Sequence, residues 1–143
     1  MSGVTHMSDL AKRAVACAGW RWVPGMLVAG IGALSIGMGR VVDVSAAGFP
    51  VYRDGYGRLQ VVPGALPDFA DPATCGCLLA LVREAWGDER LHITPPARDR
   101  GHRFASPDWI TWKPRTHPTM NSVAGRGATE AEALVAALEA APQ

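Results

Sequence analysis

The sequence predicts an α+β protein, with an antiparallel sheet of about five to six strands packed with three helices in the order α-β-β-β-β-α-β-β-α. Three observations carry this expectation. A strongly capped apolar helix stands near the middle of the chain. Short segments of strand composition, punctuated by glycine and proline, flank it on both sides. Helices with one apolar face occur near each end, and such faces need a sheet or one another to cover them.

The composition sets the frame. A chain of 143 residues with 48% hydrophobic and 19% charged content can bury a real core, which argues against disorder. The expected organisation is a flexible extension over residues 1–7 followed by one domain over 8–141. A net charge of +1 predicts no general affinity for nucleic acid. Three cysteines, an odd number, and no signal-peptide pattern at the N-terminus suggest free thiols in a reducing compartment. Met7 is as good a natural start as Met1.

In chain order, Ser8 is a suitable N-cap and Asp9 complements the helix dipole. Leu10, Ala14 and Cys17 then form a stripe that predicts a helix over about 9–18, ended by Gly19. Trp20 and Trp22 follow, on one face if the backbone is extended, before the turn signal Pro24-Gly25. Two readings compete: an aromatic ledge for a flat ligand, or rings sealing the sheet edge against the first helix, which is the commoner use of tryptophan.

Val23 to Gly39 carries no charge over 17 residues, but five glycines and a proline interrupt it and Arg21 and Arg40 flank it. No membrane span is expected from so short and broken a run. Met26 to Ala29 reads as a buried strand. Gly30 to Gly39 reads as an apolar loop able to contact a host protein or a second copy of the chain. Arg40 to Ser45 has strand composition, and 50–53 and 58–62 form a hairpin around the turn at Asp54 to Gly57.

The central helix runs from Asp71 to Gly87. Asp71 is placed to cap it, Pro72 occupies the first helical position and Gly87 can adopt the left-handed stop. Cys75, Leu78, Leu79, Val82 and Trp86 make its apolar face, widened by Cys77, Leu81 and Ala85. Strands are expected at 91–94 and 109–113, with Trp112 on the face of Ile110. The stretch 114–127, rich in Thr, Pro, Gly and Asn, reads as a loop. A last helix begins at a capping box of Thr129 and Glu132, with Ala131, Leu134, Val135 and Leu138 as its stripe.

Chemistry concentrates between Ala97 and His117. Arg98, Arg100, Arg103, Lys113 and Arg115 are interleaved with His102, His117, Trp109 and Trp112. Guanidinium forks bind phosphate and tryptophan faces stack on bases, so this composition suits an anionic nucleotide. The candidate ligand-contacting residues are Arg98, Arg100, Arg103, Trp112 and Lys113, with Trp20 and Trp22 as stacking partners. A solvated loop whose arginines serve solubility is the plainer alternative.

No catalytic motif is legible. The chain holds no GxSxG, no P-loop and no GxGxxG opening a helix, and its four histidines form no HxH or HxxxH pair. No cofactor or metal is expected, and all three cysteines read as buried structural thiols.

Three blocks, Leu10 to Met26, Leu66 to Gly87 and Gly127 to Ala141, resemble a group of small uncharacterised bacteriophage and prophage proteins from high-GC bacteria. They cover 54 of the 143 residues. The resemblance implies an α/β/α-type sandwich and a non-enzymatic accessory role in the cytoplasm of a bacterial host. Its most concrete form is a host-defence antagonist that sequesters a nucleotide signal. The alternatives are a protein-binding inhibitor or assembly protein docking through Gly30 to Gly39, and a small nucleotide hydrolase using His92, His102 or His117 as base.

Overall fold

A computed structural model describes residues 2–31, 39–54, 56–61, 63–97, 106–114 and 122–142. Among them are three helices and eight strands, all strand pairs being antiparallel, so the class is α+β. The elements are α1 (Ser2–Val15), β1 (Leu27–Ile31), β2 (Gly39–Val44), β3 (Pro50–Arg53), β4 (Leu59–Val61), β5 (Ala65–Pro67), α2 (Pro72–Trp86), β6 (His92–Thr94), β7 (Trp109–Lys113), β8 (Ser122–Gly127) and α3 (Glu130–Ala140). Helices and strand groups follow the expected order. β5 and β8 are additional, in segments that composition assigns to loops, and α1 begins at Ser2, well before Ser8. The strands form two sheets, ordered β4-β3-β2-β1-β5 and β6-β7-β8. No described helix is long and apolar enough to cross a membrane.

The chain divides into two compact units. The first comprises residues 1–16 and 20–77, the second residues 17–19 and 78–143, and α2 contributes to both.

In the first unit, the five-stranded sheet buries Val28, Val41 and Tyr52 on one side. The Tyr52 ring lies over Gly39, where any side chain would collide with it. The start of α2 is fixed by hydrogen bonds. Asp71 caps the helix as expected, its carboxylate accepting from the Thr74 amide (3.0 Å) and hydroxyl (2.8 Å). The Thr74 hydroxyl, fully buried, accepts in turn from the Leu27 amide at 2.9 Å, joining the helix to β1. Arg40 of β2 donates to both carboxylate oxygens of Asp71 (2.9 and 3.1 Å) and to the Gly25 carbonyl (2.7 Å). This two-pronged pairing holds the Asp71 carboxyl down at about 2, against its own partial desolvation.

In the second unit, α3 lies against β8 and β7. Gly125 and Gly127 permit this approach, because a side chain at either would run into the backbone of α3 around Ala133. Ala131, Leu134, Val135 and Leu138 are buried as the stripe predicts, and Ala133 and Ala137, which face the glycines, are buried with them. The Thr129–Glu132 capping box forms. α2 stops at Gly87 (φ 64°), where the Gly87 and Asp88 amides donate back to the Glu84 and Arg83 carbonyls at 3.1 and 3.0 Å.

One expectation needs correcting. Only Cys75 is a buried thiol; Cys17 and Cys77 are partly exposed. Cys77 lies toward the edge of the apolar face of α2, where partial burial and the neighbouring Asp71 raise its thiol pKa.

Candidate functional site

The residues singled out for ligand contact fall into three groups. Arg98, Arg100 and Arg103 lie outside the described residues. Trp20 and Trp22 belong to the first unit, Trp112 and Lys113 to the second.

Trp20 meets Trp22 edge-on, with ring centroids 5.5 Å apart and planes at 82°, and meets Phe69 similarly at 6.4 Å. Trp22 is only 6% exposed, so its faces are committed to packing within the protein. Trp20 is half-buried, and its enclosed indole nitrogen has no hydrogen-bond acceptor among the described residues. An orphan donor of this kind costs roughly 1–3 kcal/mol. The pair is an aromatic cluster of the first unit, with no open ledge at Trp22.

Trp112 and Lys113 are consecutive in β7, so their side chains leave on opposite faces of the three-stranded sheet. The face shared by Thr111, Gly125 and Gly127 is the one α3 covers: the Thr111 hydroxyl donates to the Ala133 carbonyl at 3.1 Å. Lys113 is on that side. Its ammonium sits 5.3 Å from the centroid of the Trp86 ring, and Trp86 donates its indole N–H to the Ala137 carbonyl at 2.8 Å. Lys113 is therefore engaged in a cation–π contact that bridges β7 and α2.

The opposite face has a different character. Residues directly across a ladder share a face, so Trp112 is joined there by His92, and Ile110 by Thr94 and Arg126. Trp112 donates its indole N–H to the Thr94 hydroxyl at 2.8 Å, which fixes the ring orientation. Trp112 and His92 are half-buried, whereas Arg126 is exposed. The face thus groups an oriented aromatic ring, an imidazole and a guanidinium. Such a set can stack on a planar base, donate to a polar edge and pair with a phosphate.

Sequence reasoning passed over Arg126, because Gly125 and Gly127 on either side suggest a loop. Alternation is legible only over Gly125 to Gly127, where Arg126 points away between two glycines; at Ala124 and Gly125 the register shifts and two consecutive residues are buried. In the sequence His92 stands out only as a possible base. Among the described residues, no group of three or more His, Cys, Asp or Glu could hold a metal ion.

No protein-family model matches the chain, and no curated protein or solved structure matches it either.

Proposed function

We propose that the chain is a non-enzymatic accessory binding protein of phage or prophage origin, acting in the cytoplasm of a bacterial host. In its most concrete form it antagonises host defence by sequestering an anionic nucleotide signal. The observation that carries this reading is the grouping of Trp112, His92 and Arg126 on the sheet face turned away from α3. The similarity of the three sequence blocks to phage proteins supplies the context. Calorimetry against a panel of cyclic and ADP-ribose-derived nucleotides tests it. Binding by one of them, weakened at least ~10-fold by Arg126→Ala and by Trp112→Leu but far less by Lys113→Ala, is the expected result, since removing a charge-assisted bond costs roughly 1.5–3 kcal/mol. No heat with any member of the panel would remove it. Recovery of the nucleotide intact after long incubation distinguishes sequestration from hydrolysis.

A second reading, docking on a host protein, is favoured by exposed apolar side chains in the first unit, namely Val42, Phe49, Tyr56, Leu59 and Val61. The loop at Gly30 to Gly39, expected to make that contact, lies over residues 32–38 outside the described residues. Loss of a captured host partner on replacing Val42 and Phe49 with serine, with an unchanged thermal melt, is the result this reading requires.

A further inference from the structure

We propose that β4 is a self-association edge, through which two copies of the chain join their five-stranded sheets into one ten-stranded sheet about a two-fold axis at Gln60.

β4 ends the order of the larger sheet, so among the described residues one side of its backbone has no neighbouring strand. Which groups face outward follows from the hairpin. The Asp54 amide donates to the Arg58 carbonyl at 2.9 Å, and the register pairs Arg53 with Leu59, Tyr52 with Gln60 and Val51 with Val61. Antiparallel ladders alternate hydrogen-bonded and non-hydrogen-bonded pairs, so Tyr52 and Gln60 exchange their bonds. The N–H and C=O groups of Leu59 and Val61 therefore point away from β3. An edge with four open groups is a template for another strand.

A second copy of β4 satisfies this template in one register. Turned antiparallel about Gln60, it sets Leu59 opposite the partner's Val61 and Val61 opposite the partner's Leu59. Each of these is then a hydrogen-bonded pair, so all four open groups on each strand find partners in one register. The two-fold axis is perpendicular to the sheet and preserves its faces. Leu59 and Val61 are 59% and 52% exposed, and they would meet their counterparts in a four-residue apolar cluster. Val51, across from Val61, and Val42, exposed in the β2 bulge, extend this cluster along the outer face.

Charge permits the same arrangement. The two Arg58 side chains, each two residues from the axis, fall at opposite ends of the joined strands. They would be roughly 13 Å apart at 3.3 Å per residue, beyond the Debye length at physiological ionic strength. The strand itself carries no lysine or proline, and its three residues restrict the contact to a single short register.

The size of the contact sets its strength. Leu59 and Val61 would together bury on the order of 200 Å² per copy, about a quarter of the share of a standard interface. The dimer is accordingly weak and concentration-dependent. The opposite edge, β5, does not compete: Ala65 and Pro67 are buried, and Pro67 has no amide to offer.

Sedimentation of the full chain from about 10 μM to about 1 mM tests the proposal, together with amide exchange at both ends of that range. A reversible monomer–dimer equilibrium is expected, in which Leu59→Lys and Val61→Lys each raise the dissociation constant at least ~10-fold while Val123→Lys leaves it unchanged. The Leu59 and Val61 amides should gain protection with concentration, and the Gln60 amide should be protected throughout. A chain that stays monomeric at the highest concentration overturns the proposal. So does a dimer that survives both lysine substitutions, or one in which the Leu59 and Val61 amides stay unprotected.

Discussion

Helices α3 and α2 are seated by opposite means. α3 approaches its sheet because Gly125 and Gly127 carry no side chain, and what fills the contact is the backbone and small side chains around Ala133 and Ala137. The start of α2 is instead tied to β1 and β2 by polar bonds: Thr74 to Leu27, Asp71 to Thr74, and Arg40 to Asp71. The first attachment depends on shape, aided by uncharged hydrogen bonds from Thr111 and Trp86, and is indifferent to pH. The second depends on charge and on a buried hydroxyl with both its partners in place. The difference teaches that a glycine pair and an Asp-Pro-x-Thr run can serve one purpose, docking a helix, through unrelated physics.

The comparison breaks most sharply at Gly125. Valine there would collide with the backbone of α3, with no flexible neighbour able to yield, so Gly125→Val is expected to cost about 3 kcal/mol or more in thermal unfolding, equally at acid and neutral pH. Thr74→Val keeps the shape but leaves the Leu27 amide without its acceptor; urea titration should show a loss of about 1–3 kcal/mol. Asp71→Ala removes the cap and the partner of Arg40, and a loss of about 1–2 kcal/mol is expected at neutral pH.

The pH dependence sharpens the contrast. The Asp71 carboxyl titrates at about 2 in the folded protein, below its value of 3.8 without these contacts. A depressed carboxylate stabilises the fold fully above the unfolded pKa, and that stability is lost as pH falls through the folded one. Between pH 4 and 2 the wild type should therefore lose its advantage over Asp71→Ala, as acid titrations of the two proteins would reveal. For α3, Thr129→Ala deletes half of the capping box and should cost about 1 kcal/mol. The smallest effect belongs to Trp20→Phe, which removes the orphan indole donor along with some buried ring; the two changes offset, and stability should stay within about 1 kcal/mol of the wild type.

Local features were the most legible in the sequence. The Asp71 cap, the Gly87 stop and the Thr129–Glu132 box are set by residues within one or two turns of one another, and each forms as expected. β8 was not legible, because glycine lowers strand propensity wherever it occurs, and the benefit of Gly125 and Gly127 lies in a helix that follows them. β5 was hidden by Pro67, which a strand tolerates only at an edge. At the candidate site, Trp112 and Lys113 looked like one group because they are adjacent in sequence. Strand periodicity separates them, and cross-strand pairing brings His92 and Arg126 to the Trp112 face from positions 20 and 14 residues away from it.

Helix α2 belongs to both compact units, its first six residues to one and the remainder to the other. A helix is costly to nucleate and one of about 12–15 residues is marginal without tertiary packing, so each half of this 15-residue segment relies on the unit that it packs in. Loss of either unit would strip α2 of the packing on that half and drag the other half toward coil. The shared helix thus links the two units covalently, and a single transition in differential scanning calorimetry is the expected outcome.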